Sequence, residues 1–208
     1  MEIASSLHQI EWGVARKAMP GQTVSGDLHL VLPHSRGVLL AVVDGCGHGP
    51  EAARAAELAV ATLRQLPENT VLYHLNRCHV ALAQSRGAVM TLADYNARDH
   101  SLTLCGVGNV EAMLFRTGAP AGAPAQESAL LRGGVVGGQL PNPYASVIPV
   151  YAGDVLVIAS DGLRLDFNSE VCFRNPPQRL ADYLLKKHFK GNDDALALVV
   201  RFRDDDDA

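Results

Sequence analysis

The sequence lacks the positive charge that nucleic-acid and membrane-surface binding require. Lysine and arginine together number 18 against 22 aspartates and glutamates, so the 208-residue chain has a formal net charge of −4. It contains no Lys/Arg-rich segment that would attract phosphate backbones or anionic lipids. The apolar run at residues 38–43 is far too short to cross a bilayer. We therefore expect neither nucleic acid nor a membrane among the partners.

Cysteine is also scarce. The chain has four cysteines, Cys46, Cys78, Cys105 and Cys172, and no C-x-x-C pair among them. This spacing is typical of reduced structural thiols and disfavours a zinc site or a disulfide framework. The first residues also lack the basic start and apolar block of a signal peptide. Both features predict a cytoplasmic protein.

Apolar residues, by contrast, are plentiful. They make up 48% of the chain, which is enough for a substantial core at this length. We expect a single domain over residues 1–203. The acidic end of the chain, residues 204–208, predicts a solvated and disordered tail.

The order of the predicted elements indicates the fold class. Strands are followed by two helices, then by more strands, one further helix and a last strand. The predicted bounds are strands at 8–18, 27–32 and 37–43, helices at 51–66 and 71–85, short strands from 87 onward, a low-complexity loop at 119–128, a helix at 176–189 and a strand at 195–203. Because strand and helix do not alternate, we predict an α+β fold in which antiparallel sheets pack together and are flanked by helices.

Acidic residues stand at the ends of the apolar strands. Asp44 and Asp161 each follow a buried run, Asp193 and Asp194 precede another, and Asp27 opens a strand. Carboxylates that converge repel one another unless a cation neutralises them. Oxygen ligands without a Cys/His cluster favour Mg²⁺ or Mn²⁺. Asp-Gly is also a common turn dipeptide, so turn formation is the alternative for each position taken singly.

The segment GCGHG, which follows the strand at 37–43, allows two other interpretations. A phosphate-cradling nucleotide loop would have the spacing G-x-G-x-x-G, whereas Gly45, Gly47 and Gly49 are evenly spaced. A cysteine phosphatase with Cys46 as nucleophile would need an arginine six residues later, where the chain has Ala52. Neither pattern is complete.

Six segments together resemble the SpoIIE-type phosphatases, which are bacterial relatives of the metal-dependent protein phosphatase 2C. The resemblance extends from about residue 14 to residue 203. It implies a four-layer αββα sandwich, in which helices flank two antiparallel sheets. The segments, in the order of the family, are VSGD, VVDGCGHG, GAVMTLADYN, GVGNVEAMLFR, GDVLVIASDGL and NDDALALVVRF.

The resemblance also implies a site for two Mn²⁺ or Mg²⁺ ions. Asp44 would bridge the ions, and the carbonyl of Gly45 would bind the first. Asp161 and Asp193 would complete the second. Asp27 matches the acid that holds the metal-site waters, and we count it with the metal and catalytic residues. Asp194 is the last candidate for the metal set.

The implied reaction is direct hydrolysis by a metal-activated water. The family has a histidine two residues after the bridging acid, and Cys46 stands there in this chain. The nearby His48 therefore has two alternative roles, proton donor to the leaving group or support of the glycine-rich turn. Arg16 is a candidate for binding the substrate phosphate.

The short length most resembles the branch of the family that dephosphorylates phosphoserine and phosphothreonine on stressosome scaffold proteins with STAS-type domains. We expect a monomer whose selectivity comes from the loops at 119–128 and 132–146. An inactive, phosphatase-like scaffold that binds a signalling partner is the alternative function.

Overall fold

The computed structural model describes residues 8–117, 120, 122–164, 166 and 173–203. The predicted tail at 204–208 and Cys172 lie outside these residues. The elements are β1 (Ile10–Lys17), β2 (Asp27–His34), β3 (Gly37–Gly45), α1 (Pro50–Leu63), α2 (Val71–Leu82), β4 (Ala88–Asn96), β5 (Ser101–Val107), β6 (Glu111–Phe115), β7 (Gln126–Ser128), β8 (Leu131–Arg132), β9 (Ser146–Pro149), β10 (Val155–Ala159), α3 (Pro177–His188) and β11 (Ala195–Phe202).

The strands form two sheets. Sheet A has the order β1-β11-β10-β6-β7, and sheet B has the order β2-β3-β4-β5-β8, with β9 pairing with β5. The pairings are antiparallel except for the short contact between β5 and β8. In both sheets, strands distant in the chain are neighbours. The terminal strand β11, for example, lies between β1 and β10.

Three apolar clusters hold the layers together. The strand β3 contributes to two of these clusters, because its successive side chains point to opposite faces of sheet B. Val42 packs between the sheets, and Val43 packs against α1 and α2. A third cluster lies between sheet A and α3. A strand buried on both faces has a continuous apolar sequence. The four-layer αββα sandwich predicted from the sequence is confirmed.

The helices begin where predicted but end earlier. The small residues Ala52, Ala55, Ala56 and Ala59 are buried in α1 and allow its close approach to sheet B. This helix ends at Leu63, since a tighter turn follows and a proline comes four residues later. Similarly, α2 ends three residues before its predicted end, at a turn that leads to a glycine with positive φ.

The remaining findings concern the edge strand β7, two cysteines and the helices. Residues 126–128 form β7 on the edge of sheet A, although the low-complexity composition there predicts a loop. Cys78 and Cys105 are free and buried in the apolar cluster beside α2, as expected for structural thiols. Among the described residues, no helix is long and apolar enough to cross a membrane.

Candidate metal centre

Two of the predicted acids face each other across sheet B. β2 and β3 pair so that Asp27, the first residue of one strand, lies opposite Asp44, near the end of the other. Asp27 is fully buried and Asp44 is partly buried. Like charges directly opposite on neighbouring strands are destabilising. This register therefore creates a site that requires a proton or a cation.

Ser160 joins this pair to sheet A. Its hydroxyl donates to Asp27 Oδ2 at 2.6 Å and accepts from the amide of Leu196 at 2.8 Å. The residue directly precedes Asp161, so the same contact brings the end of β10 next to the start of β2. The other oxygen of Asp27, Oδ1, is buried and has no hydrogen-bond partner within the described part of the chain.

Asp161 is held by donors from two other segments. Asn109, in the turn between β5 and β6, donates its side-chain amide to Asp161 Oδ2 at 2.7 Å. The ammonium group of Lys190 donates to the Asp161 backbone carbonyl at 2.6 Å. Asp161 Oδ1, like Asp27 Oδ1, is buried and unpartnered among the described residues. One carboxylate oxygen therefore stays available for a ligand.

The pKa values show that these acids share one electrostatic environment. Burial raises the pKa of Asp44 to about 9, with smaller increases from Asp27, Asp161 and Asp193. Burial also raises the pKa of Asp27 to about 7, and the negative charges of Asp194, Asp193 and Asp161 add to it. The structure thus brings acids from residue 27 to residue 194 into one electrostatic environment.

Glycines allow this close approach of backbones. A Cβ atom on Gly45 would lie 2.0 Å from the Ala52 carbonyl oxygen, and one on Gly162 would lie 1.9 Å from the Asp194 carbonyl oxygen. Both positions exclude any side chain. The glycines that follow Asp44 and Asp161 therefore bring the start of α1 and the start of β11 against the site.

Asp194 differs from the other acids in its contacts. Its two oxygens accept the backbone amides of Met19 and Gly26, each at 2.7 Å. These bonds tie the loop between β1 and β2 to β11 and place Asp27 at the site. They favour a loop-holding role for Asp194 over metal binding. Asp193 is partly buried, and its carboxylate accepts the Asp194 amide at 2.8 Å.

The glycine-rich turn is held by its backbone. The Cys46 amide donates to the Gly87 carbonyl at 3.0 Å. His48 is exposed, and its imidazole makes no hydrogen bond within the described part of the chain. Burial, and then the charge of Asp44, raise the pKa of the Cys46 thiol. A thiol of this kind is a poor nucleophile, which disfavours the cysteine-phosphatase interpretation.

One arginine lies beside Asp27, and another lies beside the glycine-rich turn. The predicted phosphate-binding candidate, Arg16, donates to the Asp27 carbonyl at 3.1 Å. Sequence reasoning missed Arg86, whose guanidinium stands beside Gly47 and contacts Glu51 at 2.6 Å. It also missed Ser160, Asn109 and Lys190, because their neighbours at the site are distant in the chain. Their only sequence signal is proximity to strand ends.

The donor set fits a hydrated divalent cation. Among the described residues, no three acidic, histidine or cysteine side chains stand close enough to enclose an ion by themselves. Mg²⁺ keeps several water ligands and is commonly bound through one or two carboxylates. The unpartnered oxygens of Asp27 and Asp161, and the raised pKa values of Asp27 and Asp44, are the features that such an ion would satisfy.

Comparison with known proteins identifies the family. The family model described as Stage II sporulation protein E (SpoIIE) matches residues 34–203. Phosphoserine phosphatase RsbX of Bacillus subtilis (strain 168) is 27% identical over 150 residues, which cover 70% of each chain.

Two solved structures share the fold. A solved chain described in connection with the bacterial stressosome, a modular system adapted to control secondary messenger signaling, is 28% identical, with a TM-score of 0.85, over 92% of this chain and 99% of that one. RsbX in complex with magnesium is 21% identical, with a TM-score of 0.81, over 93% and 95% of the two chains. The matched family model, supported by this shared fold, shows that the chain belongs to the SpoIIE family of protein phosphatase 2C-like proteins.

Proposed function

We propose that this chain is a metal-dependent phosphatase that hydrolyses phosphoserine and phosphothreonine on STAS-type scaffold proteins of the stressosome. The observation that carries the proposal is the strand register that sets Asp27 opposite Asp44, together with the charges of Asp161 and Asp193, which raise the pKa values of both. The family membership and the similarity to RsbX support the phosphatase activity. The similarity to a solved chain described in connection with the bacterial stressosome supports the substrate class.

Asp44, Asp161 and Asp193, with the carbonyl of Gly45, would hold two Mg²⁺ or Mn²⁺ ions. When bound, such ions would lower the pKa of a bound water and neutralise charge that develops on the phosphoryl oxygens. Magnesium is the ion in the RsbX structure. The carboxylates at the proposed site of this chain favour the same kind of hard cation.

The other groups of the site fix these ligands in place. Ser160 orients Asp27 through a 2.6 Å hydrogen bond, so that the other oxygen of Asp27 could hold waters at the centre by accepting their hydrogen bonds. The bonds of Asp194 to the loop before β2 hold Asp27 at its start. His48 is exposed on the glycine-rich turn, where an imidazole can deliver a proton to a serine or threonine leaving oxygen. Arg16 supplies positive charge next to Asp27.

Phosphate release tests the activity directly. The wild-type chain should hydrolyse an aryl phosphate in Mn²⁺ and lose this activity in excess chelator. Glu57→Gln, which removes a negative charge from the exposed face of α1, is the charge control and should behave like wild type. Absence of hydrolysis by a folded, Mn²⁺-binding wild-type protein would favour the inactive-scaffold alternative.

Substrate class requires a second assay. Phosphorylated STAS-type scaffolds from the same genome would be incubated with the enzyme, and release from phosphoserine and phosphothreonine would be followed by mass spectrometry. Efficient release from these proteins, and slow release from an unrelated phosphoprotein, is the expected result. Equal rates on both would contradict the stressosome assignment while leaving the phosphatase activity intact.

The monomeric state and the cytoplasmic location of the protein stay predictions. Gel filtration tests the monomeric state.

A further inference from the structure

The turn that carries Asn109 is rigid although Asn109 itself is exposed. Gly108 has a φ of 94°, and its amide donates to the Arg132 carbonyl at 2.9 Å. On the other side, the Thr91 hydroxyl donates to the Val110 carbonyl at 2.5 Å. The turn is therefore held from both sides, and Asn109 projects from it at a fixed position.

The Asn109 amide reaches only one oxygen of Asp161. Its Nδ2 lies 2.7 Å from Oδ2, while Oδ1 is buried and unpartnered among the described residues. A carboxylate with one oxygen engaged cannot rotate freely about its terminal torsion. The amide also adds no charge, so it does not compete with a cation as an ammonium group would.

The backbone of Asp161 is held separately. Lys190 donates its ammonium group to the Asp161 carbonyl at 2.6 Å and its amide to the Gly162 carbonyl at 2.9 Å. Leu163 and Phe189 form a β-bridge next to these bonds. These contacts position the chain after β10 beside the segment that leads into β11, but they do not touch the carboxylate.

We propose that Asn109 is a positioning residue that fixes the Asp161 carboxylate through Oδ2 and so keeps Oδ1 available to bind a divalent ion. This inference rests on the proposed function, because it assumes a cation at the site. Partners that orient a metal ligand typically contribute 10- to 100-fold to metal affinity. Here the contribution comes from a carboxylate that is already in its binding orientation before the ion arrives.

Binding of Mn²⁺ without substrate tests the inference. Calorimetric titration of Asn109→Ala with Mn²⁺ should give a Kd for the more weakly bound of the two ions that is about 10- to 100-fold above the wild-type value. The metal-free circular dichroism spectrum should be unchanged. Asn76→Ala, which removes an exposed side-chain amide on the remote helix α2, is the matched control and should bind like wild type.

Lys190→Met distinguishes an effect on the orientation of the Asp161 carboxylate from a general loss of rigidity around Asp161. It removes a contact equally close to Asp161 but leaves the carboxylate bond to Asn109 in place, and it removes a positive charge near the ions. Affinity for Mn²⁺ should therefore not fall in this variant. An Asn109→Ala affinity within threefold of wild type, or an equal loss in Lys190→Met, would overturn the inference. Failure of the wild type to bind Mn²⁺ would instead overturn the proposed function, and the inference with it.

Discussion

Replacing Asp44 by asparagine should abolish phosphatase activity and at the same time stabilise the metal-free protein. The substitution removes the charge of the proposed bridging ligand, so metal binding is lost. It also removes an acid that burial and neighbouring carboxylates disfavour, with a pKa of about 9 against an ordinary value of 3.8. The isosteric amide leaves Asp27 opposite a neutral group.

The magnitude follows from the linkage between pKa and stability. Between pH 4 and pH 9 the unfolded chain has released the Asp44 proton, whereas the folded metal-free chain retains it. The unfolded state therefore binds fewer protons, and stability falls as pH rises through this window. Each pH unit costs at most about 1.4 kcal/mol, so three units from pH 5 to pH 8 give about 4 kcal/mol at most. Because Asp44 is only partly buried and water reaches it, the expected effect lies between about 1 kcal/mol and this maximum of about 4 kcal/mol.

Urea denaturation in chelator at pH 5 and pH 8 measures this difference. The free energy of unfolding of Asp44→Asn minus that of the wild type should increase by about 1–4 kcal/mol between the two pH values. Glu57→Gln, the exposed charge control, should show no such increase. With Mn²⁺ added, the wild type should gain stability and Asp44→Asn should not. A difference independent of pH, or a less stable variant at pH 8, would refute the reasoning.

Three further substitutions test separate parts of the site. His48→Ala should leave the melting temperature unchanged, because the imidazole makes no hydrogen bond that holds the turn. The same variant should reduce kcat about 10²-fold on phosphoserine but far less on an aryl phosphate, whose leaving group needs no proton. Equal losses of kcat on both substrates would contradict the proton-donor role. Cys46→Ala should keep activity that chelator abolishes, and loss of turnover in this variant would restore the cysteine-nucleophile interpretation. Ser160→Ala should lower the free energy of unfolding by about 1–3 kcal/mol in chelator, since the Asp27 carboxyl loses its hydroxyl donor, and an unchanged urea midpoint would show that this bond contributes nothing.

Much of the fold was predictable because its signals are local. The apolar strand β3 is buried on both faces, and its composition shows this without knowledge of its neighbours. The alanines of α1 recur at helical spacing and pack against sheet B. The element order excluded an alternating α/β fold, and the ordered motifs indicated the family. Helix ends and the short strand β7 were less predictable, since a tight turn or one edge pairing decides them.

The roles of individual acids were predictable only in part. Asp27 and Asp44 stand out in the sequence as strand-end acids, and so does Asp194. The structure distinguishes them by their partners, because both Asp194 oxygens accept backbone amides while Asp27 keeps one oxygen unpartnered within the described part of the chain. This difference depends on contacts between residues more than 160 positions apart in the sequence. The spacing of residues along the chain does not reveal such contacts.

The amino-acid sequence by itself determined the apolar strands and helices, the acids at their ends and the glycines that let backbones meet. Only the tertiary structure decided that Asp27 faces Asp44, that Ser160 links the two sheets at that point, and that Asn109 engages one oxygen of Asp161. The physical reason is that secondary structure follows from local periodicity. The electrostatics of the site, by contrast, come from strand register and sheet packing, which bring distant carboxylates into one poorly solvated place.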